Sequence, residues 1–302
     1  MSRQVAPVPQ EFTVSGAQDG PYGIAAGADG ALWVTLVHSG RIARLATDGA
    51  VQEFPLDAPD CRPTVIVPGS DGALWFTRNG DHRIGRVSTD GELSSFPAPT
   101  PDSGPYGIAP GPEGALWFTQ LSADRIGRVT VDGRVTEFEL PVEGGFPSAI
   151  VQGPDGALWF TLNQADAIGR ITVDGDVAIH PLPTPGAGPV GITSDGESLW
   201  FVEIMANAIG RISLDGTVEE FPLPGPAAKP HAIVATGPGD CWFTEWGGNR
   251  IGRITARPGE RPEITGYDLA SPSSEPHGLT VGPDGALWVA LETGAVARLA
   301  LP

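Results

Sequence analysis

Pro105-Tyr106-Gly107-Ile108-Ala109-Pro110-Gly111-Pro112-Glu113-Gly114-Ala115-Leu116-Trp117-Phe118-Thr119-Gln120 contains two short β-prone runs, Tyr106–Ala109 and Ala115–Gln120, joined by a glycine- and proline-rich turn. Two further runs follow, Arg125–Thr130 and Val135–Leu140, joined by Val131-Asp132-Gly133. Asp-Gly between β-prone runs is a strong hairpin signal, because glycine takes the positive φ that a tight turn requires. The stretch therefore reads as four antiparallel strands in succession.

The same block recurs seven times, marked by Trp33, Trp75, Trp117, Trp159, Trp200, Trp242 and Trp288 at a spacing of about 42 residues. Four short antiparallel strands at this period make a propeller blade. No stretch carries helical periodicity, which excludes a helical solenoid. The last copy stops after its third run, Ala295-Val296-Ala297-Arg298-Leu299, and Glu11-Phe12-Thr13-Val14 matches the fourth-run pattern Glu-Phe-Pro-Leu. The expectation is an all-β, seven-bladed propeller, a single domain over residues 1–302. Its N-terminal strand completes the last blade and removes the open edges.

Composition narrows the partners. Glycine and proline are abundant, 42 and 31 residues, but they fall at fixed offsets between apolar runs and so read as turns. The formal net charge of −18 disfavours nucleic acid and anionic membranes, which require neutralisation by lysine and arginine. Cys61 and Cys241 lie four repeats apart without metal-ligand spacing and read as free thiols. The N-terminus lacks the apolar core of a secretion signal, and no apolar run approaches a membrane span, so a cytoplasmic protein is expected. A closed ring needs no partner for its edges, and a monomer is expected.

Aligning the copies with one another separates scaffold from chemistry. Each first strand opens with proline, and the next residue varies: Tyr22, Thr64, Tyr106, Ser148, Val190, His231 and His277. These positions form a ring around one mouth of the central channel, with two histidines on adjacent blades. Two residues earlier, only the last blade carries a carboxylate, Glu275, which an extended strand would place on the same side as His277. Hairpin symmetry sets Glu292 roughly opposite His277 and Trp246 roughly opposite His231. Glu203 and Glu245, one position before that register, read as a supporting layer behind the ring.

Two carboxylates with room for water suit a hard divalent cation such as magnesium. A neighbouring histidine, with its pKa near neutrality, suits a general base. Tyr22 and Tyr106 stand open between stacking on a ligand and plain packing, and Tyr22 lies nearer the last blade. His38, His82 and His180 read as polar mouth residues. Arg62 and Arg78 read as solvated surface rather than ligand contacts, and the repeated Ile-Gly-Arg arginines read as structural.

Lys229-Pro230-His231-Ala232-Ile233, Trp242-Phe243-Thr244-Glu245-Trp246 and Glu275-Pro276-His277-Gly278-Leu279 together resemble the virginiamycin B (streptogramin B) lyase family, and the likeness extends over essentially the whole chain. The resemblance implies a magnesium-dependent lyase that opens cyclic depsipeptide antibiotics by β-elimination at the threonyl ester. It implies His277 as the base, Glu275 and Glu292 as the magnesium ligands, and His231 as a substrate contact that assists the leaving group. It also implies Tyr22 and Trp246 as aromatic faces for the antibiotic. Val289-Ala290-Leu291 replaces the family's usual Phe-containing run, a departure that bears on substrate scope. Two other readings fit a propeller mouth: a metal-dependent hydrolase of the lactonase kind, and a non-catalytic propeller that captures a peptide or partner.

Overall fold

Each sequence copy forms one four-stranded antiparallel sheet, and the seven sheets close into a β-propeller. The structure is a computed structural model describing residues 8–46, 48–256 and 261–302. The third blade consists of Pro105–Pro110, Leu116–Gln120, Arg125–Val129 and Val135–Glu139, within a residue or two of the runs read from the sequence. The only helix among the described residues is a single 3₁₀ turn, Pro112–Gly114. No described helix is long and apolar enough to cross a membrane.

The last blade is completed by the N-terminus. Gln10–Thr13 pairs antiparallel with Ala295–Leu299, setting Gln10 opposite Arg298 and Thr13 opposite Ala295. Glu11 locks the closure by accepting from the backbone N–H of Ser271 at 2.9 Å and from the Ser271 hydroxyl. This closure makes the first and last blades neighbours.

Between blades, the repeated residues pack. Six of the seven repeat tryptophans are essentially inaccessible to solvent. Each large aromatic side chain buries about 150–250 Å² of surface, so these rings dominate the core. The glycine of Ile-Gly-Arg is required by this packing: a Cβ on Gly85 would lie 2.2 Å from the Phe76 ring. In most copies the arginine at this position pairs with the turn aspartate and lies over the tryptophan. Arg86 donates to Asp71 at 2.7 Å, with its guanidinium 5.9 Å from the Trp75 ring centroid. Those arginines are scaffold, as expected. Cys61 and Cys241 are buried free thiols.

Candidate active site

The mouth of the channel is built by three local devices. First, the residue before each strand-opening proline is left-handed: Gly20, Arg62, Gly104, Phe146, Gly188, Lys229 and Glu275 all have φ between 47° and 66°. Three are glycine, which takes this conformation freely; at Glu275 (φ 49°) it is uncommon and costs about 1–3 kcal/mol. Second, the strand then bulges. Pro276 pairs with Leu291 and Leu279 with Val289, so His277 and Gly278 face Ala290 alone. Such a bulge re-aims a side chain, here toward the channel.

Third, the threonine of Leu-Trp-Phe-Thr ties the ring together. Thr244 Oγ1 accepts from the Ala232 N–H at 3.0 Å and donates to the His277 carbonyl at 2.9 Å, joining the sixth blade to the seventh. Equivalent bonds run from Thr35 to Thr64, Thr119 to Ser148 and Thr161 to Val190. Val202 and Ala290 replace this threonine where it would tie His231 and Tyr22, so these two ring residues lack the constraint.

Four rings converge at the mouth. Tyr22 lies against His277 with centroids 4.4 Å apart, and the His231 and His277 rings meet edge-on at 4.8 Å. The Tyr22 and Tyr106 hydroxyls are 2.5 Å apart across the channel, and Tyr22 Oη is 3.4 Å from His231 Nε2. Tyr22, Tyr106 and His231 line one end of an apolar cavity of about 330 Å³ within the channel. On the outer side, His277 Nε2–H donates to Glu292 Oε2 at 2.8 Å, and His38 Nε2–H donates to Glu292 Oε1 at 2.6 Å.

The electrostatics divide the groups. A hydrogen bond shared with Glu292 raises the Glu275 carboxyl above its ordinary range, helped by burial and by the Glu292 charge. Glu292 is held below the ordinary carboxylate range, first by the His277 hydrogen bond and then, against the effect of burial, by those of His38 and Glu275. Burial, and next the nearby His277, push His231 down to about 3, so its ring is neutral at physiological pH. Burial raises the Tyr22 hydroxyl well above its ordinary value.

Two carboxyl groups that repel one another at a half-open mouth fit a hard cation, because such an ion relieves the like-charge repulsion. Among the described residues, no group of three or more His, Cys, Asp or Glu side chains stands ready to cage a metal. The chain thus offers a carboxylate pair. That is a typical donor set for magnesium, which keeps several waters.

The structure brings Glu275, His277, Glu292, His231 and Tyr22 together, and corrects the route by which several were expected. Glu275 does not reach the site by strand alternation, because its backbone is left-handed. The Glu292 N–H donates to the Ser274 carbonyl (3.0 Å) and the Glu275 carbonyl (3.4 Å), so the two residues meet across the turn. Trp246 does not oppose His231: its backbone N–H donates to the Lys229 carbonyl, and its ring carries the Lys229 ammonium 5.3 Å from the centroid. Two register shifts in this hairpin, between Pro230 and Ile233 and between Ala235 and Gly237, cause the offset, so that Pro230 pairs with Glu245.

Glu203 and Glu245 do not back the histidines. Both are buried strand ends; the charges acting on Glu203 are Glu220 and Asp166, and those acting on Glu245 are Arg250 and Asp268. Arg78 is 2% exposed rather than solvated, and ion-pairs with Asp57 and Asp81, whereas Arg62 is exposed. His180 stacks on Trp159 where five other blades place phenylalanine and the sixth places Tyr267, and His82 Nδ1 accepts from the Gly104 N–H. His38 was read as a plain mouth residue and is instead bonded to Glu292. Its signal lay in ring closure: His38 follows Trp33 in the first copy at nearly the offset at which Glu292 follows Trp288 in the last.

A model described as the virginiamycin B lyase family matches residues 7–299 of the chain. A solved streptogramin B lyase is 47% identical and superposes with a TM-score of 0.92, with 97% of each chain covered. A catalytically inactive histidine-to-alanine variant of the Staphylococcus aureus virginiamycin B lyase, solved with quinupristin, is 43% identical at a TM-score of 0.91. The match covers 97% of this chain and 99% of that one. A curated virginiamycin B lyase from Saccharopolyspora erythraea is 57% identical over 49 residues, a match spanning 16% of each chain. The curated relatives are matched over short segments, between 10% and 16% of their length.

Proposed function

The chain belongs to the virginiamycin B lyase family, and on that premise we propose that it is a magnesium-dependent carbon–oxygen lyase. It linearises streptogramin B-type cyclic depsipeptides by β-elimination at the threonyl ester, acting as a cytoplasmic monomer. The observation that carries this reading is the convergence of His277, Glu292 and Glu275 on one blade of an otherwise regular array.

His277 removes the α-proton of the threonyl residue. The C–H electron pair becomes the Cα=Cβ double bond, the Cβ–O bond breaks, and its pair departs on the carboxylate, leaving a dehydrobutyrine end. The imidazolium formed on His277 is paired with Glu292, 2.8 Å from Nε2, much as a triad carboxylate pairs with its histidine. A positioned base contributes about 10²–10⁴-fold, which is not enough alone against a weakly acidic C–H. Glu275 and Glu292 would hold magnesium, whose chemistry there is Lewis-acid withdrawal from a substrate oxygen.

His231 is neutral, because its ring is held near pKa 3. It therefore contacts the substrate as a hydrogen-bonding group and not as a cationic acid. A departing carboxylate, with a pKa of about 3.5, needs no proton to leave. Tyr22 contributes an aromatic face beside His277. Trp246 offers a second face further out, shared with Lys229.

The test is to incubate the protein with quinupristin and magnesium and weigh the product. Elimination opens the ring at unchanged mass, whereas hydrolysis of the lactonase kind adds one water. An intact ring with every streptogramin B tried would contradict the proposal and favour a non-catalytic mouth.

A further inference from the structure

His38 belongs to the first blade, yet its side chain serves the last. It lies in the turn after the strand Leu32–Leu36, and its backbone N–H donates to the Asp19 carbonyl at 3.0 Å. The adjacent Val37 N–H donates to the Gly20 carbonyl at 2.9 Å, so the turn is pinned to the segment entering Pro21. Gly20 is left-handed (φ 66°), and a Cβ there would stand 2.4 Å from His38 Cδ2. The imidazole thus occupies the space that a side chain at the first-blade equivalent of Glu275 would fill. From there it crosses the ring closure and donates from Nε2 to Glu292 Oε1.

Glu292 has three rotatable side-chain bonds, and His277 holds only one of its oxygens. We propose that His38 is a positioning residue for this site: it fixes the second oxygen of Glu292, so that the carboxylate faces His277 and Glu275 together. This rests on the elimination reading for its consequence in catalysis, but not for its geometry. The competing view is an exposed histidine–carboxylate pair of little value, as many surface pairs are, and the His38 side chain is 52% exposed. The two views predict different behaviour. Partners that orient a metal-binding carboxylate typically change metal affinity or activity by about 10–100-fold when removed.

The experiment compares wild type with His38→Leu, which removes the donor, and His38→Gln, which keeps one. Magnesium alone is titrated calorimetrically, quinupristin turnover is measured, and His38→Leu is crystallised. His38→Leu should lower magnesium affinity and kcat by about 10–100-fold with KM changed less than about twofold, and His38→Gln should recover most of the loss. In the His38→Leu crystal, Glu292 should leave His277. Magnesium affinity and kcat within about twofold of wild type in His38→Leu would overturn the proposal. If wild type leaves quinupristin intact, the elimination reading fails, and the crystal structure decides the positioning role by itself. A vacated Glu292–His277 bond supports it, and an unmoved one overturns it.

Discussion

The second and last blades both gather charge at the propeller, and they do so in opposite ways. In the second blade, Arg78 is buried and answered by two carboxylates: Nη1 meets Asp57 at 2.6 Å, Nε meets Asp81 at 3.0 Å, and Nη2 also bonds Asp81. In the last blade, two carboxyls repel one another, and two histidines converge on one of them. The first arrangement is internally satisfied and has nothing left for a ligand. The second leaves like charges side by side, a cost that folding alone does not require. Here the paired charge serves stability, and the repelling pair at the open mouth is the one free to take a ligand.

That contrast breaks most visibly at His277. His277→Ala should reduce turnover by about 10²–10⁴-fold or more while leaving the thermal midpoint near wild type, since it removes the base and not the ring's backbone ties. Steady-state kinetics beside calorimetry check this; a variant retaining more than a tenth of wild-type kcat would move the base elsewhere.

Glu275→Gln should come next. It removes one carboxylate of the pair and should weaken magnesium binding by about 10–100-fold, read as the magnesium concentration giving half-maximal activity. Excess chelator should abolish wild-type activity, and added magnesium should restore it.

Arg78→Leu sharpens the other side of the comparison. It should cost about 2 kcal/mol in denaturant unfolding, because Asp81 loses its charged partner, while Asp57 is exposed enough to be solvated. Its kcat should stay within about twofold of wild type. A selective loss of kcat at unchanged stability would mean that the second blade also contacts substrate.

A further expected effect, on stability rather than turnover, is pH-dependent. Glu203 is fully buried, and burial together with Glu220 pushes its carboxyl up to about 8. A carboxyl raised in the folded state favours folding while it stays protonated. Its contribution is therefore full below the unfolded pKa and is lost as pH rises through the window from about 4.5 to about 8. Glu203→Gln mimics the protonated form and should flatten the stability-versus-pH curve in that window. The change should be at most about 1.4 kcal/mol per pH unit. Denaturant midpoints at pH 5 and 8 that differ equally in wild type and variant would remove Glu203 as the cause.

Much of this contrast was legible in the sequence because the repeat acts as an internal control. Seven tryptophans gave the blade count, and the orphan Glu11-Phe12-Thr13 foretold the closing strand. Glu275, His277 and Glu292 stood out as departures on one copy, and His231 and Tyr22 fell in the same ring. What stayed hidden depends on geometry that a register count does not carry. Register shifts in the sixth-blade hairpin move its cross-strand partners, which is why Trp246 faces Lys229, and left-handed Glu275 meets Glu292 across a turn rather than by strand alternation. Arg78 and Glu203 occupy equivalent buried strand ends, so polarity misled about the exposure of Arg78 and the register count about the neighbours of Glu203. His38 reaches its partner from another blade, 254 residues away in the chain.

The most direct measurement is quinupristin turnover with magnesium in ¹⁸O-labelled water, run in parallel with wild type and His277→Ala. The account predicts that wild type yields a linear product carrying an unsaturated residue and no ¹⁸O, while His277→Ala leaves the ring closed. Heavy oxygen in the product, or ring opening by the variant at the wild-type rate, would contradict it.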